Sequence, residues 1–438
     1  MRAPYPLSRR WTRPLVAVAT LGLGVMLAAH RRVTTQPAPG CAADNAGLTL
    51  PPGFCAGIFA DSLGGVRHMA IAGNGDVLVM RQNRRRGDSA SAGVMVLRDA
   101  NGDGKAEVMG SFGPVGGTGI AIEGTNLFID ARNLILRYQL PAGATTPSGP
   151  PDTIVRNLPT GGHQAHNFVL DGRGTMYVNI GSQTNSCQEK DRQVKSKGID
   201  PCVELETRAG IWKFSSTQVG HVFSSGARFA TGIRNAVGLA MHPTERALYA
   251  TQHGRDNLFQ NWAPLYDETT SAEQPAEEFF KVNAGDDFGW PYCYYDTNLK
   301  RRVLAPDYGG DAKEVGRCSS KKPPLVAFPG HWASNGLMFY TGTNFPTRYQ
   351  DGAFIAFHGS WNRAPREQAG YKVVFVPANK GAYGGTFETF ADGFAGGNLD
   401  PSKADHRPTG LVTTKDGALL ITDDKAGRVY RVRYVGTR

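Results

Sequence analysis

The feature that most constrains the fold is a unit of two short apolar strands joined by a turn, which recurs six times along the chain. In the third copy the apolar residues alternate from Phe168, the turn DGRG follows, and a second alternating run ends at Gly181. This pattern predicts a β-hairpin. Because a single hairpin cannot bury its apolar face alone, the six copies are expected to pack against one another.

Each copy consists of a polar lead-in, an alternating strand, a turn and another strand, and several copies are followed by a third strand. The copies begin at Val66, Gly117, His163, Arg234, Ser334 and Arg407. The 55 glycines and 27 prolines among 438 residues also favour short strands over helices. The sequence therefore predicts an all-β, six-bladed β-propeller of four-stranded antiparallel blades. A β-sandwich, the rival fold, does not predict the same lead-in position in every unit.

Composition divides the chain into three parts. Residues 1–30 place four arginines before an uncharged apolar run, Leu15 to Ala29, which is typical of an export signal. An uncleaved membrane anchor is the alternative. Residues 31–47 form a linker, and residues 48–438 form the propeller domain. The mature protein is then expected to be periplasmic or secreted, with no stable membrane partner unless the leader stays uncleaved.

The charge of the chain argues against a nucleic-acid partner. The formal net charge is +10, and removing a leader with four arginines and no carboxylates lowers it to +6. A modest surplus spread over so many residues favours solubility and is not a nucleic-acid footprint. The one dense basic run, Arg84 to Arg86, is interpreted as a solvated loop.

Six cysteines in an exported protein predict disulfides. Neighbours along the sequence suggest three pairs, although six cysteines permit fifteen pairings. The suggested pairs are Cys41 with Cys55, Cys187 with Cys202, and Cys293 with Cys318. No C-x-x-C motif occurs, which argues against structural zinc and thioredoxin-like chemistry.

The lead-ins predict where a functional site lies. In a propeller the innermost strands border the central channel, so the lead-ins of all six units can converge on one axial pocket. They are Arg67-His68, Gly117-Thr118, His163-Gln164, Arg234-Asn235, Ser334-Asn335 and His406-Arg407. None is a carboxylate, and a rim of Arg, His and Asn suits a small anionic ligand.

Six segments in order resemble one known family: HQAHNFVLDGRG, GIRNAVGLAMHP, TQHGRDNL, GDDFGWPYCYYD, FHGSWNRAP and HRPTGLVTTKDG. They are similar to the glucose/sorbosone dehydrogenase family of exported quinoproteins, and most similar to its sorbosone dehydrogenase branch. The resemblance extends from about Leu48 to Tyr434. It implies a six-bladed propeller that holds pyrroloquinoline quinone (PQQ) and Ca²⁺.

The resemblance also implies roles for individual residues. His163 matches the general base, Arg234 and Asn235 match the pair that holds the quinone, and Arg234 is counted with His163 as catalytic. Arg407 matches an arginine that grips the cofactor's carboxylates. The backbone carbonyls of Gly254 and Arg255 match calcium ligands. The remaining predicted cofactor-binding residues are Arg67, His358, Trp361 and Asn362.

Three positions depart from the family pattern. Ser182 stands where soluble glucose dehydrogenases have an aspartate near the base, so His163 is expected to be oriented by another group, either His166 or a backbone carbonyl. Val237 replaces a polar cofactor contact, and Arg255 replaces a proline. These departures weaken the assignment to glucose more than the assignment to PQQ.

The implied function is PQQ- and calcium-dependent oxidation of a sugar or sugar aldehyde. His163 accepts the proton, hydride passes to the quinone, and a quinone or cytochrome receives the electrons. Two alternatives stay open: a calcium-dependent lactonase propeller, which requires inward carboxylates, and a noncatalytic carbohydrate-binding propeller. The sequence does not identify the sugar, the acceptor or the oligomeric state.

Overall fold

A computed structural model describes residues 39–82, 93–113, 115–379 and 381–436. The predicted export signal, the first eight residues of the predicted linker and the basic run from Arg84 to Arg86 lie outside the described residues. The described residues are mostly short strands. None of their helices is long and apolar enough to cross a membrane.

The first three repeats form blades 1 to 3, each beginning with the inner strand that the sequence predicted. Blade 1 comprises Val66–Ile71, Val77–Arg81, Gly93–Arg98 and Glu107–Phe112. Blade 2 comprises Ile120–Glu123, Asn126–Ala131, Leu134–Gln139 and Asp152–Arg156, and its outer edge pairs in parallel with His221–Val222. Blade 3 comprises Phe168–Leu170, Thr175–Ile180, Gly210–Ser215 and Arg228–Thr231.

The last three repeats form blades 4 to 6. Blade 4 comprises Leu239–Met241, Leu248–Gln252, Glu277–Val282 and Val326–Phe328. Blade 5 comprises Ser334–Phe339, Ala353–Phe357, Lys372–Val376 and Glu388–Ala391. Blade 6 comprises Pro408–Thr413, Leu419–Asp423, Arg428–Tyr434 and Phe54–Ala60.

The blades close into a ring. Each inner strand contacts the inner strands of the preceding and following blades, and blade 6 contacts blade 1. The outermost strand of blade 6, Phe54–Ala60, comes from the start of the domain and pairs antiparallel with Arg428–Tyr434 near the end of the chain. This pairing joins the two ends of the propeller in one sheet, as closed β architectures require. The predicted six-bladed propeller is therefore confirmed.

The hydrophobic core lies between the blades. Six buried clusters each join residues of two neighbouring blades. Because side chains alternate along a strand, Ile355 and Phe357 face blade 4 while Phe354 and Ala356 face blade 6. Both faces of such a strand are buried, so a run such as AFIAF is apolar throughout and not only at alternate positions.

The three disulfides pair as neighbours along the sequence, which confirms the prediction. The first, Cys41–Cys55, links the end of the predicted linker to blade 6, and Ala42 donates a backbone hydrogen bond to Ala56 there. Residues 41–47 thus lie against the propeller. The other two disulfides close the long loops within blade 3 and within blade 4.

Short helices, 3₁₀ turns and two extra hairpins lie outside the blades. The helices are Leu258–Trp262 and Glu268–Glu273, and the 3₁₀ turns are Asn45–Gly47, Val203–Glu206, Ser225–Ala227, Pro306–Tyr308, Gly316–Ser320 and Thr347–Tyr349. The two extra hairpins are Cys293–Asp296 with Arg301–Leu304, and Ala378–Asn379 with Ala382–Tyr383. Trp290 is buried against the Cys187–Cys202 disulfide.

Candidate active site

The strand topology brings two sets of polar residues to one edge of the ring. The first two strands of each blade are antiparallel, so the end of the second strand lies beside the lead-in to the first. The residues that follow the six second strands are Gln82, Arg132, Gly181-Ser182, His253, His358 and Asp424. Sequence reasoning identified only His358 of this set as a site residue, although the register of the repeat could have indicated the others.

A cleft of about 560 Å³ opens at this edge. Its lining comes from blades 1, 2, 3, 5 and 6 and includes Arg67, Thr118, Asp130, Gln164, His358 and Asp424. Ligand sites commonly have volumes of roughly 300–1,000 Å³. The lead-ins of several blades therefore meet in one site of suitable size.

Asp424 joins two of the predicted cofactor-binding residues. One carboxylate oxygen accepts a hydrogen bond from Arg67 Nη1 at 2.7 Å, and the other lies 2.7 Å from His358 Nε2. Burial by itself would raise the pKa of Asp424, but His358 and Arg67 hold it well below its ordinary value. The carboxylate thus stays ionised and fixes both neighbours in the wall of the cleft.

Asp130 is a second carboxylate that the lead-in residues do not include. Its Oδ1 accepts hydrogen bonds from the backbone amides of Thr118 and Gly119 at 2.8 and 3.0 Å. A Cβ on Gly117 would lie 1.7 Å from this oxygen, so the close approach requires glycine. Burial raises the pKa of Asp130 to about 7. The lead-ins lack carboxylates, but the cleft contains two, because both enter from the ends of second strands.

The His163 side chain is oriented by Ser182. Its Nδ1 lies 3.0 Å from the Ser182 carbonyl oxygen and 3.0 Å from the Ser182 hydroxyl, which itself donates to the Thr184 carbonyl. The orienting group is therefore a backbone carbonyl, one of the two expected alternatives. Burial, followed by the positive charge of Arg234, lowers the pKa of His163 to about 3.

A carbonyl can only accept, so it selects the His163 tautomer with hydrogen on Nδ1 and leaves a lone pair on Nε2. The low pKa keeps this neutral form throughout the neutral pH range.

His166, the other candidate of the same segment, has a structural role. The residue is 1% exposed, and its two ring nitrogens lie 2.6 and 2.8 Å from the carbonyl oxygens of Arg132 and Pro159. Burial lowers its pKa. A neutral imidazole carries one N–H, so His166 donates to only one of these carbonyls, and this contact packs the third lead-in against the end of blade 2.

Arg234 lies outside the lining of the cleft. It is 3% exposed, and its guanidinium donates to the Asp256 carboxylate at 2.8 Å and to the side chain and backbone oxygens of Asn185 at 3.1 Å each. A buried arginine requires an anionic partner, and here that partner is Asp256 of the chain itself. Asp256 also forms an ion pair with Arg192, at 2.9 Å.

Asn235 lies close to His163. A Cβ on Gly181 would approach the His163 side chain at 2.6 Å and Asn235 Oδ1 at 3.0 Å, so this glycine allows the two lead-ins to meet. Asn235 Oδ1 accepts a hydrogen bond from Asn179 at 3.1 Å. Within the described residues, the Asn235 amide nitrogen makes no hydrogen bond and is available to a ligand.

The predicted calcium ligands lie in a separate small cavity. Gly254 and Arg255 line it together with Arg234 and Trp290. The Arg255 side chain is 3% exposed and forms an ion pair with Asp307, so only its carbonyl could serve a ligand. Among the described residues, no group of three or more His, Cys, Asp or Glu side chains is placed to hold a metal ion.

The remaining predicted residues surround His358. Arg407 donates through Nε to the His358 carbonyl at 3.0 Å and through Nη2 to the Gly359 carbonyl. Its guanidinium carbon lies 5.1 Å from the Trp361 ring centroid. Trp361 itself lines a neighbouring groove and not the cleft, and the Asn362 amide bonds to Ser360 Oγ at 3.2 Å. Of this group, His358 alone lines the cleft directly.

Two relatives each match a little under half of this chain in sequence. An uncharacterized protein of Borreliella burgdorferi is 34% identical over 47% of this chain and 48% of its own length. A PQQ-dependent pyranose dehydrogenase of Coprinopsis cinerea is 25% identical over 46% of this chain and 30% of its own length. The chain thus spans about half the length of the first of these curated relatives and less than a third of the second.

Solved structures confirm the architecture. A calcium structure of a family AA12 carbohydrate-active enzyme of Trichoderma reesei superimposes with a TM-score of 0.70 over 91% of this chain and 98% of that one, at 18% identity. At this identity the match shows a shared fold. A sequence model described as TrAA12-like matches residues 48–435, nearly the whole predicted propeller domain. The relationship inferred from the six motifs is confirmed, and the chain belongs to the TrAA12-like family.

Proposed function

We propose that this protein is a PQQ- and calcium-dependent dehydrogenase that oxidises a sugar or sugar aldehyde and passes the electrons to an external acceptor. The observation that carries the proposal is the cleft of about 560 Å³ in which Arg67, His358 and Asp424 form one buried network. The PQQ-dependent relative from Coprinopsis cinerea supports it.

The cleft suits a planar anionic cofactor. Arg67 and Arg132 contribute guanidinium groups to its lining, and guanidinium forks are well suited to carboxylates. Arg407 is fixed nearby by two backbone carbonyls, and the free amide of Asn235 is a further donor. We assign cofactor binding to Arg67, Asn235, His358 and Arg407. PQQ, when bound, supplies the two-electron chemistry that protein side chains lack.

Calcium fits less completely, because the described side chains form no metal-binding cluster. The ion would depend on hard oxygen ligands, which for Ca²⁺ include backbone carbonyls and waters. We assign the carbonyls of Gly254 and Arg255 to it. This assignment rests on backbone carbonyls and not on preformed carboxylates.

His163 is the proposed general base. The Ser182 carbonyl holds the ring with hydrogen on Nδ1, so Nε2 can accept the proton of a sugar hydroxyl. Arg234 lowers the pKa of the imidazole and Asp256 raises it, so the two members of this ion pair act on the pKa of His163 in opposite directions. With a pKa of about 3, the base remains unprotonated in mildly acidic medium.

Export to the periplasm or the exterior is part of the proposal. Three disulfides are formed and no cysteine of the described residues is free, which suits an oxidising compartment. The signal in residues 1–30 would provide the route.

The decisive experiment is a titration of the purified protein with PQQ and CaCl₂, followed by a dye-linked assay with aldoses and sugar aldehydes. The expected result is a quinone absorption band that sugar bleaches, activity that a chelator abolishes, and recovery when Ca²⁺ is added back. Full activity in protein shown to be metal-free would contradict the calcium requirement.

The alternatives are distinguished in the same experiment. Hydrolysis of lactones without PQQ would identify a lactonase, and sugar binding without cofactor uptake would identify a binding module. His221, on the strand at the outer edge of blade 2, provides a control: His221→Ala should retain the full rate.

A further inference from the structure

A second groove, of about 550 Å³, lies beside the cleft. One wall is the loop between the second and third strands of blade 5, and the other is the loop between blades 5 and 6. The residues that matter for its chemistry are Trp361, Arg366, Gln368, Asn398 and Asp400. Nothing described so far gives this groove a role.

Trp361 is the most unusual feature of the groove. Its side chain is 57% exposed, and it is the only exposed aromatic residue among those that the structure describes. The guanidinium of Arg407 lies 5.1 Å from its ring centroid. Because Arg407 is itself bonded to the carbonyls of His358 and Gly359, the indole is held in position without being covered.

The loop that presents Trp361 is anchored to the core. Arg363 is 9% exposed and donates to the carbonyls of Ala272, Gly330 and Glu367 at 2.7, 3.0 and 3.0 Å. An exposed indole on a loop fixed in this way loses little conformational entropy when a ligand stacks on it.

The polar lining of the groove favours a neutral, hydroxyl-rich ligand. The Asn398 side-chain oxygen accepts a hydrogen bond from the Asp400 backbone amide at 3.0 Å, and one Asp400 carboxylate oxygen accepts a hydrogen bond from Ser402. Each therefore retains a second polar atom for a ligand. Arg366 lies 3.7 Å from Glu268, so its charge is already partly neutralised. With Glu367 and Asp400 also in the lining, the groove disfavours anions.

The groove and the cleft are joined by a short chain of contacts. His358 lines the cleft, Arg407 bonds to the His358 carbonyl, and Trp361 stacks on Arg407. A ligand longer than one sugar ring could therefore lie in both.

We propose that this groove is a subsite for the second and third sugar units of a neutral oligosaccharide whose reacting end occupies the cleft. An aromatic ring with one face open and amide and carboxylate groups around it provides stacking for a pyranose ring and hydrogen bonds for its hydroxyls. The inference rests on the proposed function for the reacting end only, and it makes oligosaccharides the preferred substrate class.

The test measures binding apart from turnover. Methyl glycosides of cellotriose, maltotriose and xylotriose, and of glucose and xylose, are titrated calorimetrically into the protein with and without PQQ and Ca²⁺. Blocking the anomeric hydroxyl prevents oxidation there. The variants are Trp361→Ala, Trp361→Phe and, as the control, Leu299→Ala, which truncates a side chain that is 40% exposed on a separate hairpin.

At least one trisaccharide should bind at least tenfold more tightly than its monosaccharide. Trp361→Ala should remove about tenfold of this affinity, which corresponds to about 1.4 kcal/mol, whereas Trp361→Phe should retain most of it and Leu299→Ala all of it. Equal affinity for trisaccharides and monosaccharides, or a preference that Trp361→Ala leaves intact, would overturn the proposal. So would a Trp361→Ala variant that loses PQQ affinity alone.

The experiment distinguishes failure of the proposed function from failure of the subsite. A protein that takes up no PQQ and oxidises no sugar could still bind trisaccharides through Trp361. An active dehydrogenase with no trisaccharide preference would refute only the subsite.

Discussion

Asp424→Asn should destabilise the protein strongly, because it removes a buried charge that pairs with the Arg67 guanidinium and contacts the His358 imidazole. The carboxylate is 2.7 Å from both Arg67 Nη1 and His358 Nε2, and its side chain is 3% exposed. Asparagine has nearly the same size but no charge. The asparagine amide nitrogen, itself a hydrogen-bond donor, would also replace an acceptor oxygen beside either Arg67 or His358.

The size of the effect follows from burial. Two unit charges about 4 Å apart attract by roughly 4 kcal/mol at an effective dielectric constant near 20. Removing one partner of a buried pair costs about 3–5 kcal/mol because the other charge stays desolvated. The Arg67 side chain is 12% exposed and retains a 3.3 Å hydrogen bond to Thr118, so we expect the lower end, about 3 kcal/mol.

The same blade provides a matched control. Arg428 and Asp61 also form an ion pair at 2.7 Å, but their side chains are 21% and 38% exposed. Exposed pairs are worth about 0–1 kcal/mol, so Asp61→Asn should lower the free energy of unfolding by less than about 1 kcal/mol. Urea unfolding of the wild type and both variants at pH 7, followed by tryptophan fluorescence, measures the difference, and equal m-values show that the same transition is compared.

The pH dependence gives an independent check. Burial would raise the pKa of Asp424, but His358 and Arg67 hold it below its ordinary value. The stabilisation is therefore complete above the carboxyl's unfolded pKa of about 4, and it is lost as the pH falls toward the lower folded value. The difference in the free energy of unfolding between the wild type and Asp424→Asn should therefore decrease below about pH 4. Equal losses in the two variants at pH 7 would refute the argument from burial.

Three further predictions concern activity and stability. His163→Ala should slow sugar oxidation by at least 100-fold at saturating PQQ and Ca²⁺ with little change in cofactor affinity, whereas His166→Ala should lower the free energy of unfolding by about 2 kcal/mol, since a buried carbonyl loses its hydrogen-bond donor; the reverse pattern in stopped-flow and urea experiments would exchange their roles. Arg234→Ala should lower the free energy of unfolding by about 3–5 kcal/mol, because its carboxylate partner Asp256 is buried; a variant as stable as the wild type would restore a purely cofactor-binding role. Replacing Cys187 and Cys202 by serine should cost about 3 kcal/mol for a separation of 15 residues, and an unchanged urea midpoint would contradict this.

Much of the fold could be predicted from the sequence because its information is local. A strand, a turn and a second strand lie within about twenty residues, so the alternation of apolar residues in HNFVLDGRGTMYVNIG predicts a hairpin without knowledge of the rest. Six such units in sequence are compatible with only a few architectures. The disulfides were also predictable, since each joins neighbouring cysteines along the chain.

The candidate site was only partly predictable. The lead-in rule placed Arg67 correctly in the wall of the cleft, but it overlooked Asp130 and Asp424, which stand at the ends of second strands. It also did not indicate that Arg234 is buried against Asp256, or that Trp361 lines a separate groove. The register of the repeat marks where each second strand ends, but it does not by itself show which of the residues at those ends line the cleft.

What the sequence by itself determined is the set of repeating hairpins, their order and the edge at which their polar ends lie. Only the tertiary structure decided which of those ends meet. Arg67 and Asp424 are 357 residues apart, and the strands Phe54–Ala60 and Arg428–Tyr434 come from opposite ends of the domain. Such contacts exist because the ring closes, and closure depends on how all six blades pack together, which no local period along the chain records.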